Sequence, residues 1–167
     1  CIATFITPFN TSAINIALPT IGKEFSADAI TLSWVATSVL LATAVFLVPL
    51  GRIADIYGRK RIFLYGIAIF TGASLVMTMV SFPEMLITRM LMGISEAAYI
   101  PAGLALITEY HRSRTRSLAT GLHMSGLYAG LAMGGIGGFI SEWWGWRSGF
   151  QIFGIFGIIY AFFLIFL

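Results

Sequence analysis

The chain has 167 residues, of which 58% are hydrophobic and only 10% are charged. A soluble domain carries about 25% charged residues, so this composition leaves too little polar surface for a water-soluble globule and indicates a protein of the lipid bilayer. The formal net charge of +3 is the difference between ten lysines and arginines and seven acidic residues. The basic residues are spread along the whole chain, which argues against a nucleic-acid-binding surface. The single cysteine excludes an internal disulfide.

Six apolar stretches follow one another along the chain, and each is long enough to cross a bilayer as a helix of about 20 residues. The predicted spans are residues 1–22, 29–51, 62–83, 85–108, 117–141 and 148–167. We therefore predict an all-α membrane protein with six transmembrane helices. Both Cys1 and the final Phe166-Leu167 lie in apolar runs, so we expect the chain to be truncated at both ends.

Basic residues are distributed unequally between the two sets of connecting segments. The segments after spans two and four hold seven lysines and arginines, whereas the opposite side has only Lys23 and Arg147. Cytoplasmic segments of membrane proteins are enriched in basic residues. The pattern therefore predicts that the N-terminus and the 51–61 and 109–116 loops are cytoplasmic.

The fifth span is rich in glycine. Gly126, Gly130 and Gly134 recur every four residues and therefore share one helix face, and Gly137 and Gly138 follow them. Small residues on one face let a neighbouring helix approach closely. The glycines therefore predict a packing seam or, alternatively, a surface on which helices slide or bend.

The most specific motif lies between spans two and three, where residues 51–62 read Gly-Arg-Ile-Ala-Asp-Ile-Tyr-Gly-Arg-Lys-Arg-Ile. Its two glycines allow a tight turn, and its acid can pair with the arginine four residues on. The segment resembles the signature G-x-L-A-D-R-x-G-R-K/R of the major facilitator superfamily. The resemblance implies a six-helix half-transporter of two three-helix repeats, in which this segment is a cytoplasmic gate. The gate residues that it implies are Gly51, Asp55, Gly58, Arg59 and Lys60.

Other segments are similar to the fourteen-span drug:proton antiporter branch of that superfamily. The segment from Asn10 to Pro19 resembles the branch's first-span motif, which usually has Asp at the position of Asn10. Arg89-x-x-x-Gly93 resembles its fourth-span motif. The branch implies proton-coupled export of drug-like compounds, although the amide of Asn10 removes one candidate proton site.

Two charged residues, Arg89 and Glu96, lie within the fourth span. Insertion scales place the cost of such a residue at the bilayer centre at about 2.5–3.5 kcal/mol, and such residues normally face a protein interior or a cavity. They are seven positions apart and so share one helix face, with Glu96 near the midplane, where transporter sites cluster. Both are candidate proton or substrate sites. The alternatives are an arginine that extends toward Glu84 and a buried structural carboxylate.

Four other polar residues of the spans are candidate contacts for a substrate or proton: Asn10, Asn15, Tyr99 and His123. The alternative for His123 is a hydrogen bond to a neighbouring helix. The two histidines and one cysteine have no metal-binding spacing, so we expect no metal and no cofactor.

These observations predict a secondary transporter that moves a small organic solute by alternating access. Its expected partners are the solute, protons, the lipid bilayer and the C-terminal half of the same transporter, with no nucleic acid. The first hypothesis is proton-coupled export of drug-like compounds, and the second is uptake of an organic anion or other solute by proton symport, with Arg89 as the partner of an anion. We expect the protein to be an integral protein of a bacterial inner membrane.

Two other classes of protein explain the sequence less well than a transporter does. An intramembrane serine protease would need a histidine after Ser125, and none follows His123, so we expect no enzymatic activity. A non-transporting membrane subunit would use the glycine face for assembly, but it leaves the gate motif and Glu96 unexplained.

Overall fold

The structure, a computed structural model, describes the backbone of residues 2–165. Within this range the chain forms six helices: α1 Ile2–Phe25, α2 Ala29–Tyr57, α3 Arg59–Val76, α4 Phe82–Tyr110, α5 Ser113–Trp144 and α6 Trp146–Ile165. The predicted all-α fold with six helices is therefore confirmed. By length and composition alone, α2, α4 and α6 are long and apolar enough to cross a membrane. The other three carry more glycine, polar or basic residues.

The helices begin and end at local signals of the sequence. Gly58, with a φ of +99°, is the only residue between α2 and α3, and this backbone conformation favours glycine. Gly51, by contrast, lies inside α2 with open space around it, so the second glycine of the motif alone makes the turn. At the start of α4, Ser81 and Glu84 form a capping box. Helix α3 ends at Val76, before the predicted limit at Pro83, and the proline belongs to the first turn of α4.

The first three helices and the last three pack against each other in corresponding pairs. Helix α1 lies along α5, and correspondingly α4 lies along α2. This correspondence of the α1–α5 and α2–α4 pairs is what two three-helix repeats produce. The third pair is unequal, since α3 packs extensively on α4 whereas α6 contacts α1 less. The hydrophobic core fills the space between the helices and includes Phe9, Ile14, Ile67, Met92 and Phe150.

The contact between α1 and α5 depends on glycine. A Cβ atom added at Gly134 would overlap the side chain of Ser12, and one at Gly137 would lie 2.7 Å from the Cβ of Ala13. Gly130 likewise faces the backbone of Phe5, and Gly138 faces Ile16. Gly126 is half-buried in the same helix. Gly130, Gly134, Gly137 and Gly138 thus form a seam that admits the backbone of α1.

A polar cluster joins three helices at the end of the bundle opposite Gly58. Arg147, at the start of α6, lies 2.6 Å from the carboxylate of Glu24 near the end of α1, and it donates to the carbonyl of Thr78 just after α3. The indole of Trp146 also donates to Glu24, at 2.8 Å. The hydrogen bond from Trp146, together with Arg147, holds the pKa of Glu24 below its usual value. We name these residues the outer clamp, and sequence reasoning did not identify it.

Candidate functional site

A cavity of about 290 Å³ lies between the α1–α5 pair and helix α4. Its walls come mainly from the first half of α1, the middle of α5 and the second half of α4, and Leu40 of α2 and Phe63 of α3 complete them. The cavity extends from the middle of the bundle toward the Gly58 end. Most of the lining is apolar, with Leu40, Phe63 and Leu131 as examples. The polar members of the lining are Thr4, Thr7, Thr11, Glu96, Tyr99 and His123.

Glu96 is the acidic side chain of this cavity, and it is half-buried. Within residues 2–165 it makes no hydrogen bond and no direct ion pair. Arg89 lies two helical turns earlier in the same helix. A carboxyl group with free hydrogen-bonding capacity is therefore exposed to whatever occupies the cavity.

Two buried hydroxyl groups line the same cavity as Glu96. Tyr99 is 3% exposed and Thr7 is 6% exposed, and neither hydroxyl has a hydrogen-bond partner in the part of the chain that the structure describes. The Tyr99 ring is fixed by edge-on contacts with Phe63 and Phe70. Because buried polar groups are normally hydrogen-bonded, these hydroxyls are available to water or to a bound solute.

His123 reaches the cavity from α5. Its Nδ1 atom lies 2.9 Å from the hydroxyl of Thr4 on α1, and the side chain is 8% exposed. The hydrogen bond to a neighbouring helix matches the alternative considered for this residue. The structure nevertheless places His123 in the same lining as Glu96 and Tyr99.

Arg89 and Asn10 form a buried hydrogen-bond network outside the cavity lining. The guanidinium group of Arg89, 2% exposed, donates to the carbonyl of Val35 and to Oδ1 of Asn10, each at 3.0 Å. The amide of Asn10 donates in turn to the hydroxyl of Ser74, also at 3.0 Å. This network joins α4 to α2, α1 and α3, so Arg89 is directed into the bundle and not toward Glu84.

The Arg89-x-x-x-Gly93 spacing brings α4 against α2. A Cβ atom at Gly93 would overlap the carbonyl oxygen of Val39. The hydroxyl of Thr43 donates to the carbonyl of Gly93 at 3.1 Å. Since residues four apart share a helix face, both motif positions contact α2. Arg89 does so through a hydrogen bond, and Gly93 through the close packing of the two helix backbones.

The gate motif is held together by Arg59 at the Gly58 end of the bundle. Its Nε atom lies 2.9 Å from Oδ1 of Asp55 at the end of α2. Its Nη1 atom lies 3.6 Å from Glu109 at the end of α4. Arg59 thus connects the ends of three helices. Sequence reasoning missed Glu109, although an acid beside a basic segment was the same signal that identified Asp55.

The structure therefore divides the candidate residues into groups. Glu96, Tyr99 and His123 line one cavity, whereas Asn10 and Arg89 are enclosed beside it and Asn15 is exposed on α1. Thr4, Thr7 and Thr11 were missed. Their spacing of three and four residues places them on one face of α1, and this spacing could have identified them.

Fold and site together define a helical membrane bundle with a central cavity that carries a carboxyl group. The family model of the Major Facilitator Superfamily matches residues 1–167, and the chain belongs to this family. It is therefore an integral membrane protein.

Curated relatives and solved structures agree with this assignment. The cephamycin export protein of Amycolatopsis lactamdurans is 34% identical over 154 residues, which cover 89% of this chain and 31% of that protein. The puromycin resistance protein of Streptomyces alboniger is 37% identical, covering 81% of this chain and 28% of the relative. The chain thus spans about a third or less of these relatives' length. A bacterial homolog of the human lysosomal transporter Spinster, solved in an inward-facing conformation, matches 98% of this chain and 40% of its own with a TM-score of 0.84. At 22% identity this likeness concerns the fold alone.

Proposed function

We propose that this chain is the N-terminal half of a secondary transporter that exports a drug-like organic compound in exchange for protons. The observation that carries the proposal is Glu96, a carboxyl group in the wall of a largely apolar cavity to which the described residues supply no hydrogen bond. Two relatives at 34% and 37% identity are named for cephamycin export and puromycin resistance, which supports export. The transporter has no enzymatic step.

The cavity residues divide into three roles under this proposal. Glu96 binds and releases the coupled proton, because its carboxyl group has no hydrogen-bond partner among residues 2–165, whereas the imidazole of His123 is already hydrogen-bonded to Thr4. The hydroxyls of Thr7 and Tyr99 and the imidazole of His123 offer hydrogen bonds to the solute. The apolar walls hold its hydrocarbon part, and the C-terminal half supplies the facing wall.

The gate and the membrane orientation follow from charge. The basic ends around Gly58 and His111 face the cytoplasm of a bacterial inner membrane. The cavity lies toward this end, as expected for a binding site that loads from the cytoplasm. The contacts of Arg59 with Asp55 and Glu109 connect the ends of α2, α3 and α4. These helix ends form the surface on which the C-terminal half closes when the transporter opens outward.

Proton symport of an organic anion is the second candidate, and the placement of Arg89 argues against it. That hypothesis needs the guanidinium group in the cavity as the partner of the anion. Arg89 is 2% exposed and donates to Val35 and Asn10. The geometry therefore gives an anion no partner at Arg89, and the names of the two relatives favour export.

The test uses the full-length transporter in proteoliposomes with puromycin and a cephamycin as solutes. Glu96→Gln keeps the shape of the cavity and removes the titrating group. We expect this variant to retain solute exchange in the absence of a pH gradient and to lose the dependence of transport on pH. Glu84→Gln, an acid of the same helix outside the cavity, is the matched control and should keep that dependence. PH dependence equal to wild type in Glu96→Gln would contradict the proposed coupling.

A further inference from the structure

A second hollow, separate from the Glu96 cavity, lies between α3, α4 and α6 near the Gly58 end of the bundle. Its volume is about 320 Å³. Its lining consists of Lys60, Phe63, Leu64, Leu106, Tyr110 and Leu164. Phe63 contributes to both walls, so this ring stands between the two spaces. We call the hollow the α3–α6 groove.

The groove is apolar inside and positively charged at its mouth. Lys60, the second residue of α3, is exposed and makes no ion pair within the described residues 2–165. The two nearby acids, Asp55 and Glu109, both contact Arg59 instead. Tyr110, the last residue of α4, is 74% exposed and brings a hydroxyl to the same mouth.

The surroundings of the mouth add to this positive charge. Arg61 and Arg112 are exposed at the same end of the bundle. Helix ends that carry tyrosine and basic residues lie at the level of the lipid headgroups. An occupant that complements the groove therefore has an anionic head at this level and a hydrocarbon tail beneath it.

We infer that the α3–α6 groove binds one anionic phospholipid. Its phosphate contacts the ammonium group of Lys60 and the hydroxyl of Tyr110, while an acyl chain lies against Phe63, Leu64, Leu106 and Leu164. Four of the six lining side chains are apolar, and a free phosphate ion would leave them unused. Because bulk lipid already surrounds the acyl chain, selectivity comes from the headgroup charge. One basic residue near the membrane surface gives a preference of about five-fold for an anionic lipid.

Native mass spectrometry of the full-length transporter in detergent tests this inference without measuring transport. The purified protein is titrated with dioleoyl phosphatidylglycerol or with dioleoyl phosphatidylcholine, which has the same acyl chains. We expect the first bound phosphatidylglycerol at a concentration about five-fold lower. Lys60→Gln should abolish this preference. Arg114→Gln, the same charge change at the same end but outside the groove, should keep it.

Two further arms separate a lipid from other occupants. Leu164→Trp fills the groove and should weaken binding of phosphatidylglycerol, with circular dichroism checking that the helices are intact. If this variant does not fold, the comparison of Lys60→Gln with Arg114→Gln still tests whether the lipid headgroup binds at Lys60. Inorganic phosphate at millimolar concentration should not displace the lipid. Equal binding of the two lipids to wild type, equal losses in Lys60→Gln and Arg114→Gln, or displacement by phosphate would each overturn the inference.

Discussion

At the scale of single residues, Arg89 shows how this fold accommodates a buried charge. Its guanidinium group lies among neutral hydrogen-bond partners, the carbonyl of Val35 and the amide of Asn10. Asn10 accepts from Arg89 with its oxygen and donates to Ser74 with its nitrogen. One amide therefore serves two helices at once. An aspartate at this position would supply a counter-charge but could not donate to Ser74 when ionised.

This arrangement predicts a large difference between two asparagines of α1. Asn10→Leu removes both hydrogen bonds and deprives the buried guanidinium group of Arg89 of one acceptor. The folded protein should lose about 1.5–3 kcal/mol of stability. Asn15→Leu makes the same chemical change on the exposed side of the same helix and should change stability by less than about 0.5 kcal/mol. Thermal unfolding of the full-length protein in detergent measures both. Equal losses of stability would show that the network does not stabilise the fold.

At the scale of helices, adjacent glycines of α5 have different surroundings. A methyl group at Gly134 would overlap Ser12 of α1, whereas nothing lies within 4 Å of the corresponding position at Gly135. The Cβ atom of Ser12 is fixed to its backbone, so relief would require α1 and α5 to separate. Close packing is the main attraction between helices in a bilayer.

Gly134→Ala should therefore destabilise the protein by about 1–3 kcal/mol through overpacking. Gly135→Ala should be neutral or stabilising by up to about 1 kcal/mol, because alanine favours the helix over glycine. The measurement is the midpoint of thermal unfolding for each variant. A Gly134→Ala variant as stable as Gly135→Ala would show that α1 and α5 are farther apart than the structure places them.

The outer clamp connects α1, α3 and α6, and its contribution to the stability of the fold should depend on pH. The pKa of Glu24 is lowered in the folded state, first by the hydrogen bond from Trp146 and also by Arg147. The clamp therefore contributes stability above the ordinary pKa of a glutamate and loses it as the pH falls through the lowered value. The carboxylate is 39% exposed, so solvent screening limits the contribution to about 1 kcal/mol at most.

Glu24→Gln should accordingly make the unfolding temperature less dependent on pH as the pH falls below the ordinary pKa of a glutamate. Glu109→Gln is a suitable control, since that acid is 61% exposed and its contact with Arg59 is longer, at 3.6 Å. The control should follow the wild-type pH curve. An unchanged acid response in Glu24→Gln would mean that the clamp adds no stability.

For the whole molecule, the sequence predicts the helices more completely than it predicts what they enclose. In a bilayer the backbone groups find partners only within helices or closed barrels, and six apolar runs of about 20 residues have the length of helices. The free-energy cost of placing a charge in a bilayer identifies Glu96 and Arg89 as candidate site residues. Because they share one helix face, the sequence does not show which of them lines the cavity and which contacts a neighbouring helix. That distinction depends on where α1 and α2 approach α4. The partners Glu24 and Arg147 are far apart in the sequence, and their contact depends on the register of α1 against α6.

The whole-molecule proposal of a water-filled cavity can be tested by comparing two surfaces of equal exposure. Leu131, in the cavity, is 45% exposed, and Ile159, on α6, is 48% exposed. Only the cavity position contacts water if the transporter opens to one side, because the surface at Ile159 is covered by lipid. In a cysteine-free full-length transporter, Leu131→Cys should react with a membrane-impermeant maleimide several times faster than Ile159→Cys. Solute should protect Leu131→Cys alone, since the solute occupies the cavity. Equal reaction rates at the two positions would contradict a cavity that admits water, and with it the alternating-access proposal.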